Sequence, residues 1–171
     1  MSVCLISADG TDCPIQEPYP FDTGIFSEKL NGPGLKYEVG VCIATGHIVW
    51  INGPYKAGKN DVTIFAEEGL LDALADDECV EVDAGYQGHQ EMRHPRISQS
   101  RRDRQQKSRV RARHENVNSY LKKFSVLDDV FRHNVNLMER HKICFTAVAV
   151  ITQLRFELHQ SLYSVEYEVN Y

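Results

Sequence analysis

The chain has 171 residues, 42% of them hydrophobic and 25% charged, which suits a folded globular protein long enough to bury a core without disulfide or metal staples. No stretch approaches 18 consecutive apolar residues, and the start Met1-Ser2-Val3-Cys4-Leu5-Ile6 has no basic leader, so a membrane span and a signal peptide are not expected. The net charge of −5 argues against a nucleic-acid partner until its distribution is read: Arg93 to Arg113 holds nine Lys/Arg against one acid, Asp103, which places +8 there and −13 on the remainder.

Residues 3–8 read as a first strand that ends at Asp9-Gly10-Thr11-Asp12. Residues 13–33 hold Pro14, Pro18, Pro20, Gly24, Gly32 and Pro33, a density of breakers that predicts a long loop. Residues 35–44 carry Tyr37, Val39, Val41 and Ile43 at period two, a strand, and Thr45-Gly46-His47 turns the chain back into a third strand at 48–51. The three suggest an antiparallel meander. Residues 52–60 form a glycine-rich connection, and Asn60 or Asp61 can cap the next helix, whose apolar side is Phe65, Leu70, Leu71 and Leu74 and which Gly69 weakens without breaking. Residues 79–82 make a short strand that delivers Asp83.

The basic span, 93–113, reads as a variable segment compatible with disorder in the absence of a polyanion. Beyond it, Val117, Tyr120, Leu121 and Phe124 fall at i, i+3, i+4 and i+7, an amphipathic helix with Glu115 nearly opposite the stripe. A second helix is expected over 139–160, buried through Cys144, Ala147, Val148, Ile151, Leu154 and Leu158, with Phe145, Val150 and Phe156 adding apolar surface elsewhere. The tail, 163–171, alternates in places like an edge strand. The five scattered cysteines (Cys4, Cys13, Cys42, Cys79, Cys144) contain no Cys-x-x-Cys pair and read as reduced, near-core residues of an intracellular protein. Three strands, a helix, a strand ending in an acid and then helices predict an α/β fold, a mixed sheet flanked by helices in RNase H-like order.

The carboxylates carry the chemistry. Two divalent ions held by two or three hard oxygen ligands can activate a water and stabilise the leaving oxygen of a phosphodiester. Asp9 at the end of the first strand and Asp83 at the end of the fourth can be neighbours across a sheet, and Glu115 on a helix packed against it can complete the set. Blander readings stand beside these: Asp61 as a helix cap, Asp12 as a turn former, Glu115 as an exposed residue paired with Arg111 or Lys122, and His114 as a surface histidine.

Asp9-Gly10-Thr11, then Gly53-Pro54-Tyr55-Lys56-Ala57-Gly58-Lys59-Asn60-Asp61, then Asp83-Ala84-Gly85-Tyr86, then Arg111-Ala112-Arg113-His114-Glu115-Asn116-Val117-Asn118 with Leu121-Lys122 resemble, in that order, the DDE superfamily endonuclease domain, with the pattern nearest to Harbinger (PIF-like) transposases. The resemblance implies an RNase H-like core over 1–171 that binds two Mg²⁺ or Mn²⁺ ions through Asp9, Asp83 and Glu115, with Asp61 as a further candidate ligand. It implies DNA cleavage by water, strand transfer by a 3′-hydroxyl, and a nuclear location. Only eight residues precede Asp9, too few for a helix-turn-helix, so no N-terminal DNA-binding domain is expected; a separate DNA-binding protein and a homo-oligomer are candidate partners. Arg101, Arg102, Arg104, Lys107, Arg109, Arg111 and Arg113 are the expected DNA-backbone contacts. The alternatives are a catalytically silent, transposase-derived binding protein, and a module whose basic run serves nuclear import.

Overall fold

The computed structural model describes residues 3–67, 69–83, 86, 88–93, 100–133, 137–158, 162–165 and 167. A six-stranded mixed sheet forms its centre. Strand β1 (Val3–Pro14) pairs antiparallel with β3 (Gly32–Cys42), which pairs antiparallel with β4 (Ile48–Lys56) and with the two-residue β2 (Phe26–Ser27). On its other side β1 pairs parallel with β5 (Glu78–Val82), and β5 with the short β6 (Met92–Arg93). The expected α/β, RNase H-like arrangement is therefore present.

Helices cover both faces. On one face lie the short helices α1 (Asp61–Glu67) and α2 (Leu70–Ala73), packed over Ala8, Val80, Val82 and Tyr86. On the other lie α3 (Arg101–Leu121), α4 (Ser125–Asp128) and α5 (Leu137–Leu158). Their core gathers Cys13, Leu35, Tyr37, Val39 and Val41 from the sheet with Val117, Leu121, Leu127, Phe145 and Phe156. Tyr37 stacks on Phe145 with ring centroids 3.7 Å apart and shares a 2.7 Å hydrogen bond with His141 Nδ1.

Several expectations change. Strand β1 does not stop at Asp9; it runs to Pro14, because β3 continues to pair with it as far as Gly34. Asp9 thus projects from mid-strand, and Asp12, read as a turn former, accepts a 2.5 Å hydrogen bond from Ser27 Oγ. The proline-rich loop contains a 3-10 turn (Thr23–Ile25), β2 and the start of β3. Strand β4 continues through Gly53-Pro54 to Lys56; among the described residues it pairs with β3 alone, so the proline breaks no second ladder there. Gly69, at φ 120°, stands as the N-cap of α2, so the expected single helix is two. The cysteines are not all reduced: Cys4 and Cys79 face each other in the parallel β1/β5 ladder, Cα–Cα 4.6 Å, and form a disulfide. Cys13, Cys42 and Cys144 are free. The tail expected as an edge strand falls mostly outside the described residues, and its described part is not strand.

The α1 face holds a buried acid that sequence reading passed over. Glu38 is 2% exposed and accepts a 2.9 Å hydrogen bond from Trp50 Nε1 through Oε2. Burial pushes its carboxyl from 4.5 up to about 7, with the indole donor opposing and Asp61 reinforcing. Below pH 4.5 folded and unfolded chains both hold the proton. Between 4.5 and 7 the unfolded chain ionises first, so folding stability falls as pH rises through this window, by about 3 kcal/mol for this group. Glu38→Gln is therefore expected to be more stable than the parent at pH 8 and indistinguishable from it at pH 4 in urea unfolding. A pH-independent difference would contradict the assignment.

Candidate active site

Helix α3 begins within the basic span rather than after it. Ser100 caps its N-terminus, accepting from Asp103 N (3.0 Å), while Asp103 accepts from Ser100 N (3.1 Å). The expected variable segment is thus largely helix, and residues 94–99 lie outside the described residues.

Once helical, residues 107, 111, 114/115, 118 and 122 fall at i, i+4, i+7/i+8, i+11 and i+15 and form one row against β1 and β5. Lys107 Nζ meets Glu81 Oε1 at 2.8 Å. Arg111 Nη1 lies 3.2 Å from Asp83 Oδ1. His114 Nδ1 lies 2.9 Å from Ser7 Oγ. Asn118 Nδ2 donates to Asp9 Oδ2 at 3.3 Å, and Lys122 Nζ donates to the Asp12 carbonyl. Lys107, Arg111, His114, Asn118 and Lys122 are each matched by a polar group on β1, β5 or the residue that follows β5, which fixes the helix in rotation and translation.

The three predicted acids are brought together. Asp9, Asp83 and Glu115 line one cleft of about 120 Å³, with Ser7, Lys29, Glu81, Arg111 and His114. That is room for a few water-sized groups. Burial raises the Asp9 carboxyl to about 6, against the charge of Lys29 and the Gly10 N–H (2.9 Å to Oδ1), with the charges of Asp61 and Asp83 adding to the rise. Asp83 and Glu115 are more open, at 46% and 68% side-chain exposure, and Arg111 lies between them, its Nη2 3.9 Å from Glu115 Oε1. The i,i+4 pairing of Glu115 with Arg111 is thus present together with the cleft position.

Asp61 does not join them. A Cβ on Gly10 would lie 2.8 Å from Asp61 Oδ1, which puts Asp61 against the face of β1 opposite the Asp9 side chain; only glycine admits this approach. Asp61 pairs with Lys36 Nζ at 2.8 Å and lines a separate depression with Lys29, Lys59 and Asn60. The cap of α1 is Asn60, whose Oδ1 accepts from Val62 N at 2.8 Å.

Two of the seven basic residues expected to hold DNA are interior. Lys107 is 1% exposed in its pair with Glu81; Arg113 is also 1% exposed and donates to the Cys42 carbonyl (3.0 Å) and the Ile43 carbonyl, holding the turn between β3 and β4. Arg101, Arg102, Arg104, Arg109 and Arg111 are exposed, and Arg104 lines a second depression that shares Arg111 and Glu115 with the cleft. His114, read as a surface residue, is buried: its Nε2 has no hydrogen-bond partner among the described residues, and burial lowers its pKa to about 4. The signal that could have found it is the i+7 step from Lys107, which places it on the same row.

The donor set suits a hard divalent cation, being three carboxylates, one of them desolvated. Among the described residues no three His, Cys, Asp or Glu side chains are already gathered tightly enough to hold one. Arg111 supplies the neutralising charge between Asp83 and Glu115. All three side chains are at least 44% exposed, and such surface pairs are worth about 0–1 kcal/mol, so breaking these two pairs costs little.

The family model described as DDE superfamily endonuclease matches residues 8–153, a span that contains all three acids and the row on α3. No curated protein and no solved structure matches the chain.

Proposed function

The chain belongs to the DDE superfamily endonuclease family, and from that premise we propose that it is a metal-dependent DNA endonuclease of transposase type, nearest in pattern to the Harbinger group, folded as one catalytic domain. The observation that carries the proposal is the convergence of Asp9, Asp83 and Glu115 from β1, the end of β5 and α3 on one cleft. In this reading the three carboxylates hold two Mg²⁺ or Mn²⁺ ions, which when bound supply Lewis-acid polarisation of the phosphoryl oxygens and lower the pKa of the attacking water.

The protein's own groups do the rest. Asp9 is held by the Gly10 N–H and the Asn118 amide, so it is a fixed ligand, whereas Asp83 and Glu115, both more exposed, would turn towards it when Arg111 withdraws. Arg111 then joins Arg104 in the depression that adjoins the cleft, where a DNA phosphate would lie. Lys29 faces the same cleft and offsets the negative charge around Asp9. A cut strand's 3′-hydroxyl could replace water as the nucleophile in strand transfer with the same groups in place. A nuclear location follows from this reading; among the described residues no helix is long and apolar enough to cross a membrane.

A second reading, a silent DNA- or protein-binding derivative, draws on one observation: Arg111 already neutralises two of the acids. Calorimetry separates the two. Titration of Mn²⁺ is expected to give saturable binding in the parent and at least about tenfold weaker binding in Asp9→Asn, since even outer partners of metal ligands are worth 10–100-fold. No binding by a folded parent would favour the silent protein.

A further inference from the structure

Helix α5 has two apolar faces, and the sheet uses only one. His141, Phe145, Val148, Thr152 and Phe156 step by 4, 3, 4 and 4 residues and are all buried. Ile143, Ala147, Val150, Leu154 and Leu158 step by the same 4, 3, 4 and 4, displaced by two residues, which turns them about 200° away from the sheet. These five are exposed, as is Ile151 beside them: Ile143 62%, Val150 53%, Ile151 50%, Leu154 48% and Leu158 67%. Single exposed apolar residues are ordinary; a continuous seam in coiled-coil spacing about 22 Å long is not.

We propose that this outward seam of α5 is a self-association surface, where two copies of the chain pair their α5 helices antiparallel across a two-fold axis. The sequence of the seam supports a second copy over any other occupant, because it is its own complement. With the axis between Val150 and Ile151, Ile143 meets Leu158 of the partner subunit, Ala147 meets Leu154 of the partner subunit, and Val150 meets Ile151 of the partner subunit. Small faces large at the Ala–Leu step, and no member of the seam is left without a mate. The flanking charges agree: Lys142 and Glu157 are both exposed near opposite ends of the seam, and the same rotation brings Glu157 of the partner subunit within about one turn of Lys142. A one-helix contact of this length makes a small interface, so the dimer is concentration-dependent rather than obligate.

The surface lies on the outer side of α5, while the acid cleft is formed by α3, β1 and β5, so the proposal stands whether or not the protein cuts DNA. Sedimentation velocity is expected to show mostly monomer at low micromolar concentration and mostly dimer by on the order of 100 µM, the range of a Kd of roughly tens of micromolar. Val150→Lys, at the two-fold, should remain monomeric throughout with an unchanged thermal transition, because the residue touches no core. Lys142→Glu should weaken the dimer severalfold, and Lys142→Glu with Glu157→Lys should restore it. A parent that stays monomeric at the highest concentration, or a dimer that survives Val150→Lys, overturns the proposal.

Discussion

Asp83→Ala is expected to lower Mn²⁺-dependent nicking of supercoiled plasmid by more than about a hundredfold, the scale above which loss of a metal ligand exceeds loss of its outer partners. The same substitution should leave folding nearly intact. Asp83 is 46% exposed, follows β5 rather than lying in it, and its pair with Arg111 is a surface pair worth about 0–1 kcal/mol. The circular dichroism spectrum and thermal transition should therefore match the parent's. Equal nicking by the two proteins would remove Asp83 from the catalytic set and, with it, the reading of the cleft as the active site. Asp61→Ala offers a contrast: Asp61 lies against the other face of β1, so its loss should reach the reaction far less than that of Asp83.

The largest effect on stability is expected from Lys107→Met. Lys107 and Glu81 are 1% and 4% exposed, and Glu81 also accepts from Tyr167 Oη. Removing the cation takes its ion-pair partner from a buried carboxylate, a loss on the order of 3–5 kcal/mol. The double variant Lys107→Met with Glu81→Leu removes both charges, and such replacements are neutral or stabilising, so it should recover most of the loss in urea unfolding. If the single variant unfolds at the parent's midpoint, the pair does not hold α3 to β5. DNA affinity gives an independent check. Lys107→Met should leave the salt dependence of DNA binding unchanged wherever the protein is folded, whereas loss of the exposed Arg104, proposed as a phosphate contact, should lower the slope by about one.

The contrast between Lys107 and Arg104 shows where one-dimensional reading stops. Both belong to the same basic run, three residues apart. The helical row that contains Lys107, Arg111, His114, Asn118 and Lys122 is legible as spacing, but nothing local says that Glu81, Asp83, Ser7 and Asp9 stand opposite it. A basic run therefore looked like one solvated surface, while two of its cations are interior. The same holds for α5. Its extent was legible to within two residues, but with an apolar seam on each side, periodicity could not say which one faces the sheet. Of the face expected inside, Val148 is buried and Cys144 is half-buried against the core, but Ala147, Ile151, Leu154 and Leu158 are exposed; the sheet takes Phe145 and Phe156 in their place, because Tyr37 offers Phe145 a stacking partner.

The sequence by itself determined the α/β order of elements, the period-two strand over β3, the short strand before Asp83, and the three acids with their order along the chain. These are properties of local pattern and of motif. Tertiary structure alone decided the rest. Pairing between residues 75 apart in sequence joined Cys4 to Cys79. The close approach of α1 over Gly10 sent Asp61 to the far face, and the docking of α3 buried His114 beside the acids. The reason is the same in each case: burial and partnership belong to the surface that a residue meets, and that surface comes from a distant part of the chain.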